Sequence, residues 1–150
     1  MKFQKYCNML TQIQRRMAFR IGSAYRTVSI EVAQVIAALV PLDLLIRERT
    51  ATQKNDTDDR RNVCVHAMEE WQRKWTNLRE KAEWTRRIIP DVVTWTGRRH
   101  GEASYQFTQF LSGHGCFRPY LQRFKRRESD ICKYCGNSDT AHHVIYECAK

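Results

Sequence analysis

A chain of 150 residues, 42% hydrophobic and carrying 26 Lys and Arg against 16 Asp and Glu, can build one domain or two small ones. Its net charge of +10 favours a polyanionic partner, nucleic acid before an acidic membrane surface. No apolar run nears the roughly 18 residues needed to cross a bilayer, and MKFQKYCNML lacks the apolar core of a signal peptide, so no membrane association is expected. Cys7, Cys64 and Cys116 stand alone while Cys132, Cys135 and Cys148 crowd the C-terminus. That is not the even spacing of a secreted disulfide framework, and it fits a reducing compartment.

Period-3.6 patterning dominates, with no convincing alternating strand, so the expected fold is mainly α: a small helical bundle followed by a short module at the C-terminus, where the cysteines crowd. The first helix places Leu10, Ile13, Met17, Ile21 and Ala24 on one face, with Lys5, Arg15, Arg16 and Arg26 opposite. Such a basic face is either a solvated surface or a strip to lie along phosphates. Ser29 can cap a second helix from Ile30 to about Val40, ended by Pro41, and a third starts near Leu42. The polar stretch ATQKNDTDDRRN reads as a loop or linker. Its Asp56, Asp58 and Asp59 lack an apolar scaffold and read as solvated rather than metal-binding.

Cys64, Met68, Trp71, Trp75, Leu78 and Ala82 then recur as a heptad-like seam. Packing against another helix of the same chain outweighs base stacking as the role of Trp71 and Trp75. Asp91 can cap a short turn through Val92, Val93 and Trp95. A helix over about 104–112 should turn Tyr105 or Phe107, Phe110 and Leu111 inward and stop at Gly113. A further helix from about Cys116 to Phe124 carries Phe117, Tyr120, Leu121 and Phe124 on one face. Arg118, Arg123, Lys125, Arg126 and Arg127 are interleaved or follow it. The organisation so read is a basic helical segment over 1–54, a linker over 55–62, a helical region over 63–128 and a zinc motif over 129–150.

The most specific signal is the tail, in which Cys132, Cys135, His143 and Cys148 follow the spacing C-x2-C-x7-H-x4-C. Two thiolates two residues apart grip a tetrahedral ion from a tight turn, for which Gly136 provides the backbone freedom. Three thiolates and one imidazole fill all four positions, so the site should be structural Zn2+, with no place for a bound water. His142 is chemically able to replace His143, which is favoured because x4 before the last Cys is common in small zinc modules. A disulfide is the bland alternative. A rival is the zinc deaminase pattern H-x-E…P-C-x-x-C, met by His100, Glu102, Cys132 and Cys135. Against it, Ile131 stands where the proline belongs, and His143 and Cys148 would be left unexplained.

Taken together, GRRHGE, QFLSGHGCFRPYLQRF and CKYCGNSDTAHHVIYEC resemble the C-terminal part of Pol proteins of arthropod non-LTR retrotransposons of the Jockey and ribosomal-insertion type. Upstream, IQRRMAFRIGSAYRTVS, PLDLLIRER and WTRRIIPD are similar to the thumb-and-linker stretch that follows the polymerase palm there. The resemblance covers nearly the whole chain. It implies a thumb that holds template–primer duplex and a Cys/His tail that binds RNA or DNA, in a nuclear setting for the parent element. Zinc ligation carries over to Cys132, Cys135, His143 and Cys148. Gly113, His114, Gly115 and Phe117 match the family block, and the resemblance assigns no chemical role to His114.

The sequence departs from the family in lacking the Tyr-x-Asp-Asp carboxylate pair that would hold two Mg2+ ions in the polymerase palm. The chain itself is therefore expected not to polymerise, and the remainder of the Pol polyprotein joins RNA and DNA among its expected partners. On the residues alone, the nucleic-acid contacts fall to Arg15, Arg16, Arg26, Arg118, Arg123, Lys125, Arg126 and Arg127, with Tyr120, Phe124 and Tyr134 able to stack on unpaired bases.

Overall fold

Helical periodicity carries through to tertiary structure. The computed structural model describes residues 2–54, 60–78, 82–98 and 103–149, and among them lie eight α-helices and one π-helical turn. The helices are α1 (Lys2–Ile21), α2 (Ile30–Ile36), α3 (Leu42–Lys54), α4 (Arg60–Asn77), α5 (Glu83–Ile88), α6 (Val92–Thr96), α7 (Tyr105–Ser112) and α8 (Arg118–Arg123). The π-helical turn spans His143–Glu147. The polar stretch read as a loop or linker is helical at both ends, residues 51–54 closing α3 and residues 60–62 opening α4, and Asp56, Asp58 and Asp59 lie outside the described residues.

One core joins the segments on either side of that stretch. Val32, Val35 and Ile36 of α2 and Leu44 of α3 pack in the same cluster as Trp71 and Trp75 of α4, Val92 of α6 and Leu111 of α7. Trp71 and Trp75 are core residues, as their spacing suggests, and the Trp75 indole N–H donates to Ile89 O at 2.7 Å. Cys64, at the start of the seam, is exposed. No helix among the described residues is long and apolar enough to cross a membrane.

The buried face of α1 is not its apolar one. Ile13, Met17 and Ile21 are 47%, 49% and 42% exposed, whereas Gln14 and Ala18 are buried. The cause is polar. Gln14 Nε2 donates to Val40 O at 2.6 Å, and its Oε1 accepts from Gln34 Nε2 and from Leu42 N, each at 3.0 Å. One carboxamide thus satisfies the free backbone groups between α2 and α3, while Ala18 and Gly22 are small enough for α2 to approach closely.

Two helix starts, at Ser29 and Asp91, follow the sequence, and Ser104 precedes a third helix as its cap. Ser29, Asp91 and Ser104 cap α2, α6 and α7 by accepting from Val32 N, Thr94 N and Phe107 N. The stops are less obvious. α1, α2, α7 and α8 each end on a left-handed residue (Ser23, Ala38, Gly113 and Lys125) followed by a backbone bond reaching back five residues. Only one of the four is glycine, so α2 ends at Ile36, well before Pro41. On α7, Thr108 takes the inward position, and Tyr105 and Phe107 are exposed.

This assignment of faces predicts opposite outcomes for neighbouring substitutions. Gln14→Ala leaves three polar partners unsatisfied and should cost at least about 2 kcal/mol. Met17→Ser, on the exposed stripe, should stay within about 0.5 kcal/mol. Urea unfolding of the two variants against the parent chain measures both.

Candidate metal centre and nucleic-acid interface

The tail after α8 has little apolar material to bury: Ile131, Val144 and Ile145 are all exposed, and its buried residues are Cys132, Ala141 and His143. Its shape comes from backbone bonds around a knuckle. Cys132 N donates to Asn137 O at 2.7 Å, Gly136 N to Cys132 O at 3.2 Å, and Ile131 and Ser138 form an antiparallel bridge. Gly136, at φ +80, supplies the left-handed residue that folds the C-x2-C segment back on itself. The chain then enters the π-helical turn, where Cys148 N donates to His143 O at 2.8 Å, five residues back. That bond accounts for the x4 spacing, since a π-type closure brings the first and sixth residues together.

The ligand atoms of Cys132, Cys135, His143 and Cys148 all lie within 4.8 Å of one another. Two thiolates on a tetrahedral zinc stand about 3.8 Å apart, given metal–sulfur bonds near 2.3 Å. Cys132 Sγ and Cys148 Sγ are 3.9 Å apart, and Cys135 Sγ lies 3.1 Å from His143 Nε2. The donor set therefore fits a tetrahedral cation. His143 Nδ1 lies 3.3 Å from Glu147 Oε2, an arrangement that orients the ring and leaves Nε2 for the cation. His142 does not enter the cluster: its Nδ1 meets the other oxygen of Glu147 at 3.0 Å.

The electrostatics favour thiolate at one position. The backbone N–H of Tyr134, then the His143 imidazole, hold the Cys132 thiol down to about 6. Hydrogen bonding to Cys132 likewise raises the His143 imidazole above its ordinary value. At Cys135 the Asn137 N–H favours thiolate, but burial and the neighbouring thiols outweigh it and push the group up. Three thiols and an imidazole this close compete for protons, a competition that a divalent cation relieves.

Two contacts seat the tail on the helical body. Arg118 at the start of α8 pairs with Asp139 at 3.2 Å, and the Trp84 ring of α5 meets the His142 and Tyr146 rings at 6.1 and 6.4 Å. Trp84 is held in turn by its indole N–H, which donates to Phe110 O at 2.7 Å, beside Thr85 Oγ1 donating to Leu111 O. Gly113 follows directly, at φ +67. A Cβ there would stand 3.2 Å from the Trp84 ring, so both backbone sign and space call for glycine. His114 Nδ1 contacts Ser112 O at 2.7 Å, and its ring packs 5.0 Å from Tyr120. Burial lowers its pKa, so His114 is neutral at pH 7 and has a structural part in the α7–α8 turn.

The basic and aromatic residues singled out in the sequence are partly gathered. The turn between α1 and α2 meets α8: Thr27 Oγ1 and Tyr120 Oη are hydrogen-bonded at 3.0 Å, and the Tyr25 and Tyr120 rings are 5.6 Å apart. Arg15 Nη2 donates to Arg26 O, placing both near this junction. Phe124 packs 4.9 Å from Tyr120, with the Arg123 guanidinium 5.9 Å from its ring. Arg123, Lys125, Arg126 and Arg127 are all exposed. Arg16 and Tyr134 are exposed elsewhere, on α1 and in the knuckle. Arg118 is committed to Asp139.

Sequence reasoning assigned no role to Tyr25 or Trp84 and read Tyr105 only as a candidate for the inward face of its helix. Tyr25 and Tyr105 share a short hydroxyl–hydroxyl bond, which raises the Tyr25 pKa to about 12 and keeps it neutral. Their placement depends on contacts 80 residues apart, for which no local pattern exists. His100 and Glu102, the deaminase-like pair, lie outside the described residues.

With this geometry in place, the comparisons with known proteins agree with the family resemblance. The chain is similar to the Retrovirus-related Pol polyproteins from type-1 retrotransposable elements R1 4 and R1 2 of Nasonia vitripennis, at 25% and 28% identity over 93% and 99% of its length. It is 33% identical over 65% of its length to the corresponding R1 Pol polyprotein of Popillia japonica. It spans about two fifths of these relatives, 41%, 41% and 38% of their lengths. No family model matches the chain, and no solved structure matches it.

Titration with Co2+ separates the two histidines. The parent chain and His142→Ala should give the same tetrahedral, thiolate-rich spectrum, while His143→Ala should bind far more weakly. The depressed Cys132 thiol also sets a pH window. Its contribution to stability is present above the ordinary thiol value near 9 and is lost as pH falls through about 6. Urea unfolding of the metal-free chain, from about pH 9 to below about 6, should track the same fall.

Proposed function

We propose that this chain is a nucleic-acid-binding segment of an R1-type Pol polyprotein, one that grips template–primer or target RNA and DNA and carries a structural zinc in its tail. The observation that carries this reading is the junction of the α1–α2 turn with α8, where the Arg26 carbonyl holds Arg15, the next residue Thr27 bonds Tyr120, and Tyr120 packs on Phe124 near Arg123. Phosphates would meet the exposed guanidinium and ammonium groups, and the rings would meet unpaired bases. The similarity to Pol polyproteins and the net charge of +10 support it from outside the site.

The zinc would be held by Cys132, Cys135, His143 and Cys148. Bound there it supplies folding free energy and no chemistry, because four protein ligands complete its coordination. The same saturation argues against a deaminase, which needs a zinc-bound water. The palm carboxylates have no counterpart in this sequence, so polymerisation and its Mg2+ ions are assigned to the remainder of the Pol polyprotein. That remainder is also the proposed protein partner.

Binding of labelled RNA and DNA across a salt series tests the reading. Affinity should fall linearly on a log–log plot. Neutralising Arg26, Arg123 and Lys125 together should weaken binding evenly across sequences and shallow the slope by about 0.7 to 0.9 per lost phosphate contact. A flat salt response from a zinc-loaded chain contradicts the proposal and leaves a purely structural zinc module.

A further inference from the structure

Between α5, the α7–α8 turn and the tail runs an open groove of about 380 Å³, lined among others by Trp84, Arg87, Tyr120, Thr140 and His142. Besides the buried Phe117, three rings line it, Trp84, Tyr120 and His142, from three different parts of the chain. Two of them have their polar ends engaged: the Trp84 indole N–H by Phe110 O, and the Tyr120 hydroxyl by Thr27. On the third, His142 Nδ1 faces Glu147. What they offer the groove is mainly ring surface, which suits a flat aromatic ligand held by stacking rather than by edge recognition.

At the rim, Arg87 binds Glu83 through one nitrogen at 2.7 Å, and a guanidinium carries five N–H donors, so it can still meet a phosphate. The groove volume lies at the low end of small-ligand sites and suits a single nucleotide. Tyr120 is shared. It lines this groove and also belongs to the Tyr25–Phe124 cluster beside Arg123, so a strand following the basic surface is led into the groove.

We propose that this groove receives one unpaired base of a single-stranded nucleic acid, stacked among Trp84, Tyr120 and His142, with its phosphate at Arg87. This rests on the nucleic-acid reading above and assigns the strand a specific site within it. The third wall directly precedes the ligand His143, so the groove is complete only when the tail is folded around its cation. Selectivity for unpaired bases is thereby tied to the metal.

The experiment compares the zinc-loaded chain on three short labelled oligonucleotides: a single strand, the same strand with abasic positions, and the duplex. RNA and DNA versions of the single strand are run in parallel. The intact single strand should bind at least about five-fold tighter than the abasic strand. Tyr120→Leu and His142→Ala, each with zinc content verified as unchanged, should each bring that ratio towards one while keeping the salt slope. Chelation should abolish the ratio as well. A ratio of one in the parent chain, or a ratio that survives both substitutions, overturns the groove and leaves the nucleic-acid reading standing. Absence of salt-dependent binding to every strand overturns both.

Discussion

Short helices are costly in one respect: each leaves four N–H groups and four carbonyls without partners, and five of the eight helices here have eight residues or fewer. Satisfying those ends is the constraint on which the rest of the structure depends. Side chains meet it repeatedly. Gln14 closes the α2–α3 junction, Gln72 binds both Pro90 O and Val92 N, Trp75 binds Ile89 O, and Trp84 and Thr85 take the last carbonyls of α7. The four left-handed helix stops meet it from the backbone side. Much of the core is therefore arranged around polar bonds, and its apolar residues pack where those bonds allow.

The same constraint explains why α1 turns its apolar stripe outward. An orphaned pair of backbone groups near Val40 and Leu42 costs more than leaving a few aliphatic side chains half exposed, since an unsatisfied buried polar group costs about 1–3 kcal/mol. Surface apolar side chains are ordinary by comparison. Gln14 wins the inward position because its carboxamide both donates and accepts.

The tail is held differently. It lacks the apolar mass to fold by burial, and its donors converge on one point instead. Its placement against the body, through Arg118–Asp139 and Trp84–His142, gives the Gly-His-Gly block a physical meaning. Gly113 makes room for Trp84, His114 locks the turn beneath Tyr120, and Phe117 is buried at the start of α8. The block builds the junction between body and tail.

Residue types and spacing by themselves determined the mainly α class, the caps at Ser29 and Asp91, the core role of Trp71 and Trp75, and the four converging donors of the tail. All of these follow from local periodicity or from ligand chemistry at short range. The choice of His143 over His142 was only favoured at that level, and it is the π-type closure onto Cys148 that separates them. Which face of α1 is buried, where α2 stops, and the meeting of Tyr25, Tyr105 and Tyr120 were decided by tertiary structure alone. Each rests on a bond between residues distant in sequence, or on a non-glycine residue driven left-handed by its surroundings, and no local pattern encodes either.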